Sequence, residues 1–97
     1  MDADGYPDDA ELQRIAEWPY MDFPGLMDYV RERWKYAEDG YWKKDGTSTY
    51  RISTVGWSGN ESLIEALGQN QMFWLMCWES SRRGGHYKFK LPKVKTP

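Results

Sequence analysis

The spacing of apolar residues in the first forty positions predicts two amphipathic helices. Leu12, Ile15 and Ala16 recur at intervals of one, three and four, and one of the two aspartates just before them can cap their helix. A second helix is expected from about Pro24, and Gly40, which can take the left-handed conformation, is expected to end it. The residues placed on this second helix are Leu26, Tyr29, Val30, Arg33, Trp34 and Ala37.

After Gly40 the pattern changes to an alternation of apolar and polar residues, which is typical of strands. Residues 41–56 read as a hairpin around Asp45-Gly46, a dipeptide that favours a tight turn. Residues 86–91 (HYKFKL) alternate in the same way, so the two rings and Leu91 are expected inside and the bases outside. In the second strand of the first hairpin, Tyr50, Ile52 and Thr54 are expected on one face and Thr49, Arg51 and Ser53 on the other.

Two further segments complete the predicted order of elements. Ser58 and Glu61 have the spacing of a capping box at the start of a short amphipathic helix, which Gly68 is expected to end. Residues 71–78 (QMFWLMCW) are apolar at nearly every position, which favours a central strand covered on both faces.

The chain is therefore predicted to be a single compact α+β domain, residues 1–97, with the order ααββαββ. Its antiparallel sheet is expected to have about four strands covered by helices. Residues 1–7 are expected to be flexible, and residues 92–97 to form a basic tail.

Composition favours a reducing compartment. The single cysteine, Cys77, cannot form a disulfide within the chain, and its apolar surroundings predict a buried thiol rather than a nucleophile. No apolar run approaches the ~20 residues of a membrane span, and the acidic N-terminal segment is unlike a signal peptide. We therefore expect a cytoplasmic protein without membrane contact.

Charge is distributed unevenly along the chain. Residues 1–40 carry eleven acids against four bases, a balance of −7, whereas residues 41–97 carry nine bases against four acids, a balance of +5. From Ser80 onward there are six bases and no acid. This asymmetry indicates either that the two halves attract each other or that the basic end faces an anionic partner.

Two glycine-containing segments are candidates for anion binding. Residues 56–61 (GWSGNE) place glycines, a hydroxyl and an amide at a predicted helix start, where free backbone N–H groups attract phosphate. Residues 80–86 (SSRRGGH) add two arginines, whose guanidinium groups grip phosphate in a bidentate way. A helix cap and a solvated basic turn would explain the same residues without a ligand. The predicted ligand-binding residues are Trp57, Ser58, Gly59, Asn60, Trp78, Arg82, Arg83 and His86.

Residues suited to catalysis or metal binding are scarce. One cysteine and one histidine do not make a usual zinc site, and no cofactor motif is present, so neither a metal nor a cofactor is predicted. For an enzyme, Glu79 and His86 would be the base and acid of metal-independent RNA cleavage. Binding to nucleic acid is disfavoured, because the rings and bases of residues 86–91 point to opposite faces and the chain is acidic overall.

The strings GWSGNE and WESSRRGGHY, within residues 50–90, resemble segments of small phage-encoded proteins of uncharacterised function. The N-terminal helices do not contribute to this resemblance. It implies a phage origin, expression in the host bacterial cytoplasm and an accessory role exerted by binding, which includes antagonism of host defence.

We therefore expect a protein that binds a phosphate-bearing small molecule or nucleotide. One alternative is a protein-directed inhibitor of a host factor that uses the acidic helical face. A second alternative is a metal-independent ribonuclease. A homo-oligomer remains open, because a chain this short can complete a site with a second copy.

Overall fold

Four antiparallel strands form a single sheet in residues 5–92, the part of the chain that the computed structural model describes. The predicted α+β class is confirmed. The ends of the predicted flexible segment and basic tail, residues 1–4 and 93–97, lie outside the described residues. The elements are α1 Asp9–Ala16, α2 Phe23–Arg33, β1 Trp42–Asp45, β2 Thr49–Ser53, α3 Ser58–Gln69, α4 Gln71–Cys77, β3 Trp78–Arg82 and β4 His86–Lys90, with short 3-10 helices at Tyr20–Asp22 and Ala37–Asp39.

The strands lie in the order β1-β2-β4-β3, so the two hairpins meet through β2 and β4. One face of the sheet packs against the helices, and the alternation in β2 and β4 decides which side chains it carries. Phe89 and Leu91 are buried, as predicted, and Tyr50 and Ile52, which were predicted to share a face, are buried beside them. Phe73 of α4 joins the layers, because its ring contacts Phe89 of the sheet at 5.1 Å and Phe23 of α2 at 5.4 Å.

The first helix begins as predicted. The Asp8 carboxylate accepts a hydrogen bond from the Glu11 N–H at 2.8 Å, and the Glu11 carboxylate accepts one from the Asp8 N–H at 3.1 Å. These reciprocal bonds form a capping box. The box predicted at Ser58 and Glu61 is absent, because α3 is capped by Trp57 without a side-chain bond and Ser58 already lies in the helix.

The second helix is shorter than predicted and ends at Arg33, so Trp34 and Ala37 lie beyond it. Trp34 is extended, and its indole N–H donates to the Ser53 carbonyl at 3.1 Å. The Asn60 amide then binds both backbone groups of Lys35, accepting from its N–H at 2.9 Å and donating to its carbonyl at 3.1 Å. These long-range hydrogen bonds take the place of the backbone hydrogen bonds that a longer α2 would make. Gly40 takes the predicted left-handed conformation, with φ 95°, but it ends the 3-10 helix Ala37–Asp39 and not α2.

Residues 71–77 form a helix, α4, and the prediction of a central strand there was wrong. The Asn70 side chain accepts a hydrogen bond from the Phe73 N–H at 3.2 Å and so starts a new helix directly after α3. Gly68 does not end α3, which continues through Gln69. The strand begins only at Trp78, and it lies at an edge of the sheet with all five residues exposed.

Candidate functional site

The face of the sheet that points away from the helices is uncovered in the described part of the chain. Lys43, Arg51, His86 and Lys90 point outward from β1, β2 and β4 and are exposed. Their direction follows from the alternation that buries Trp42, Ile52 and Phe89 on the opposite face. The register then arranges the outward side chains in rows that cross the strands.

The first row consists mainly of cations. Lys43 lies opposite Arg51, Arg51 lies opposite Lys88, and Lys88 lies opposite Ser80. Adjacent strands are about 4.8 Å apart, so three positive groups follow one another across three strands. Like charges directly opposite each other destabilise a sheet. Ion pairs that Arg51 and Lys88 make with neighbouring acids offset part of this repulsion.

The second row contains groups that can bind a ligand by other means. His86 lies between Ser53 and Arg82 in the register, and the Tyr41 carbonyl accepts a hydrogen bond from the Ser53 N–H at 3.0 Å. Tyr41, which directly precedes β1, therefore lies opposite Ser53 in the same row. It is 40% exposed, so its ring is available for stacking. This row combines two rings, a hydroxyl and a guanidinium.

A groove of about 560 Å³ runs over both rows. Its lining includes four bases and a histidine but no carboxylate. The two acids nearest to it are held by exposed ion pairs, Asp45 with Arg51 at 2.8 Å and Glu79 with Lys88 at 3.3 Å. Exposed pairs contribute little, ~1 kcal/mol or less, so an anionic ligand can replace them. The groove is a concentrated site of positive potential in a chain whose net charge is −2.

The structure brings only part of the predicted set into this groove. Arg82 and His86 line it, opposite each other on β3 and β4. Arg83 lies next to Arg82 in the hairpin turn and does not line the groove. Trp78 lies at the other end of β3, on the inner face opposite Phe89, where its indole N–H donates to the Ser81 hydroxyl at 3.1 Å.

The two glycine-containing segments do lie at the same end of the sheet. The Thr54 N–H donates to the Gly85 carbonyl at 3.0 Å, and a side chain at Gly85 would overlap the Thr54 hydroxyl. The turn between β3 and β4 therefore packs against the connection from β2 to α3. In that connection Val55 has φ 48°, a conformation that β-branched residues rarely adopt.

The remaining predicted residues have partners within the protein. Asn60 is fully buried, and its amide binds Lys35 and the Thr54 carbonyl. The Trp57 ring covers Gly59, and it packs against the tilted Tyr6 ring, with the ring centres 4.8 Å apart. The Lys35 ammonium lies 4.7 Å from the Trp57 ring centre. The Ser58 hydroxyl donates to the Tyr6 hydroxyl at 3.3 Å. None of these groups lines the groove.

The side chains considered for catalysis do not come together, and Glu79 is in an ion pair. Glu79 pairs with Lys88, and His86 lies beyond Lys88 in the next outward position of β4. Burial raises the pKa of the Cys77 thiol to about 12, and the side chain is 1% exposed. Within residues 5–92 no three metal-ligating side chains come together.

Tyr41, Lys43, Arg51 and Lys88 were not predicted as site residues. Each stands at an outward position of a predicted strand, so the alternation gave their face. Their proximity depends on β2 pairing with β4, and no local pattern in the sequence specifies that pairing.

Within residues 5–92 the helices are all too short or too polar to cross a bilayer. No protein-family model matches the chain, and neither a curated protein nor a solved structure is similar to it. The resemblance to phage-encoded proteins stays a prediction.

Proposed function

We propose that the protein binds a phosphate-bearing small molecule, most favourably a nucleotide, across the outer face of its sheet. The observation that carries this proposal is the cross-strand row of Lys43, Arg51 and Lys88, with no carboxylate in the groove above it. An anion bound there can contact all three cations, and the two exposed ion pairs that it replaces, Asp45 with Arg51 and Glu79 with Lys88, contribute little.

The second row supports a nucleotide rather than a bare phosphate. Tyr41 presents a ring about one row from the cations, which suits stacking of a base while the phosphates contact Arg51 and Lys88. Arg82 and His86 close the row on the side of β3 and can donate hydrogen bonds to the ligand. The groove is open, which suits a ligand laid across the strands.

Thermal unfolding with a panel of phosphate compounds tests the proposal. We expect a nucleoside triphosphate or a cyclic nucleotide to raise Tm, because a ligand that binds only the folded state stabilises it by mass action, by about 2.7 kcal/mol at a hundred times Kd. Inorganic pyrophosphate is the probe without a base. Absence of any shift with every compound at about 1 mM would contradict the proposal.

Variants of two neighbouring arginines locate the ligand. Arg82→Ala should weaken nucleotide binding about tenfold or more, which is the usual effect of losing one charge-assisted contact. Arg83→Ala is the matched control, because Arg83 carries the same charge next in sequence but does not line the groove. Equal losses in the two variants would show that only general charge matters. Tyr41→Ala should weaken the nucleotide and leave pyrophosphate unchanged.

The same panel separates the alternatives. A metal-independent ribonuclease would degrade RNA in the presence of a chelator, and His86→Ala would stop it. A protein-directed inhibitor would bind its partner through exposed acids of α2, so charge reversal at Asp28 and Glu32 would weaken capture while nucleotide binding stayed intact.

A further inference from the structure

Four large apolar side chains lie uncovered at the junction of α4 and β3. Leu75 is 81% exposed, Met72 46%, Met76 43% and Trp78 42%. Met72, Leu75 and Met76 share one side of α4, because their spacing is three and four, whereas Phe73 and Cys77 on the other side are buried. Large apolar side chains that stay exposed close together in this way are typical of an interaction surface.

The strand beside this patch has an edge without a partner among the described residues. β3 is the last strand of the sheet, and all five of its residues are exposed. The opposite edge, β1, carries Lys43 and Lys44, which discourage pairing with another strand. β3 has no lysine, and it begins next to the patch.

The charges on β3 are complementary to those of a second copy of the same strand. Glu79 stands near its start and Arg82 and Arg83 at its end, with two serines between them. Two antiparallel copies related by a twofold axis place each Glu79 beside the partner's arginines, so the attraction occurs twice. A parallel arrangement would instead oppose like charges.

We propose that the protein forms a homodimer in which two β3 strands meet antiparallel and the α4 patches cover each other. An irregularity between Trp78 and Ser80 limits the regular ladder to Ser80–Arg82. A stable complex buries about 800 Å² per partner, which a ladder of three residues does not provide, so the apolar side chains of α4 supply most of the interface. The two basic grooves then lie on one continuous surface, with Arg82 at the seam.

The first test compares two equally exposed apolar residues by sedimentation equilibrium. The wild-type chain should dimerise, and Leu75→Glu should raise the dimer Kd at least tenfold because it buries a charge in the interface. Met21→Glu is the control, because Met21 is 79% exposed but lies outside the patch. A monomeric wild-type chain at about 1 mM, or equal effects of the two variants, would overturn the proposal. Circular dichroism verifies that both variants fold.

The second test uses the charges on β3. Glu79→Arg should not dimerise, because every charge on its strand is then positive, and Arg82→Glu/Arg83→Glu should not dimerise, because every charge is negative. An equimolar mixture of the two should form a heterodimer. Failure of the mixture to associate would overturn the antiparallel arrangement. Dimer formation is read without ligand, so it stands or falls independently of nucleotide binding.

Discussion

At the scale of single residues, the ion pair between Glu11 and Arg33 fixes α1 against α2. The Arg33 guanidinium donates to the Glu11 carboxylate and also to the Tyr29 carbonyl, at 2.9 Å, while its plane lies 3.5 Å from the Tyr29 ring centre. Burial acts to raise the pKa of Glu11, whereas hydrogen bonds to its carboxylate, those from the Asp8 backbone and Arg33 among them, and the charge of Arg33 act to lower it. The net effect lowers that pKa from 4.5 to about 2.

Because this pKa is lowered, the stability of the fold depends on pH in the acidic range. The ionised Glu11 carboxylate stabilises the fold fully above pH 4.5, and the contribution is lost as the pH falls toward about 2. Glu11→Gln should therefore lower the free energy of unfolding by about 2 kcal/mol at neutral pH. In urea titrations at decreasing pH, the difference between wild type and variant should shrink.

Glu65→Gln provides the control, because Glu65 is an exposed glutamate of α3. Its substitution should change stability by less than about 0.5 kcal/mol at any pH. A difference between wild type and Glu11→Gln that persists below pH 2 would argue against the assigned role of this carboxylate.

At the scale of elements, Asn70 separates two helices that would otherwise run together. Its side chain accepts from the Phe73 N–H and donates to the carbonyls of Ile15 and Trp18, at 3.0 and 3.1 Å. We expect Asn70→Ala to lower the free energy of unfolding by at least about 2 kcal/mol, because it leaves buried backbone groups without partners. Asn70→Asp should not restore stability, since it keeps the acceptor but loses both donors. Chemical denaturation measures both effects.

The exposed neighbour Gln69 is the control for this element, and Gln69→Ala should be close to neutral. A cost for Asn70→Ala no greater than that of Gln69→Ala would show that α4 needs no such anchor.

The same residue explains where prediction of elements from sequence succeeded and where it failed. The hairpin around Asp45-Gly46 and the alternation of residues 86–91 carry strong local signals, and these strands form as predicted, although the partner of residues 86–90 in the second hairpin is Trp78–Arg82 and not the predicted strand 71–78. In residues 71–77 the apolar positions do not recur with the period of a helix, because Met72, Leu75 and Met76 are apolar although they are exposed. The deciding signal was Asn70, whose bonds to α1 span more than fifty positions of the chain.

At the scale of the whole molecule, the row of cations allows the proposed binding to be tested separately from stability. Lys43→Thr removes the repulsion with Arg51 and adds a residue that favours strands. The ligand-free variant should therefore be as stable as the wild type or more stable, by up to ~0.5 kcal/mol, while its stabilisation by a nucleotide should decrease. Thermal unfolding with and without the nucleotide measures both quantities.

Lys44→Thr is the matched control, because Lys44 is the next residue of β1 but points to the inner face. Its ammonium lies 5.4 Å from the Tyr50 ring centre, so that variant should lose a little stability and keep its response to the ligand. If Lys44→Thr lost its response to the nucleotide while Lys43→Thr kept it, the ligand would bind the inner face of the sheet, which would contradict the proposal.

Only part of the candidate site could be predicted from the sequence. The rest depends on the order of the strands in the folded chain. Arg82 and His86 attract notice because they share a short, unusual turn. Arg51 is separated from Lys88 by 36 intervening residues and becomes its neighbour only when β2 pairs with β4. The charge balance of the second half of the chain indicated a basic surface, but strand order decides which bases meet.

Burial of the single cysteine gives the protein an intrinsic reporter of its own motions. Cys77 ends α4 and lies in the core, and alkylating reagents attack only a thiolate that solvent can reach. The rate at which a reagent alkylates Cys77 therefore measures how often the junction of α4 and β3 opens. The native chain can be followed in this way without an introduced probe, and a slower rate at high protein concentration would report the closing of the same junction by a second copy.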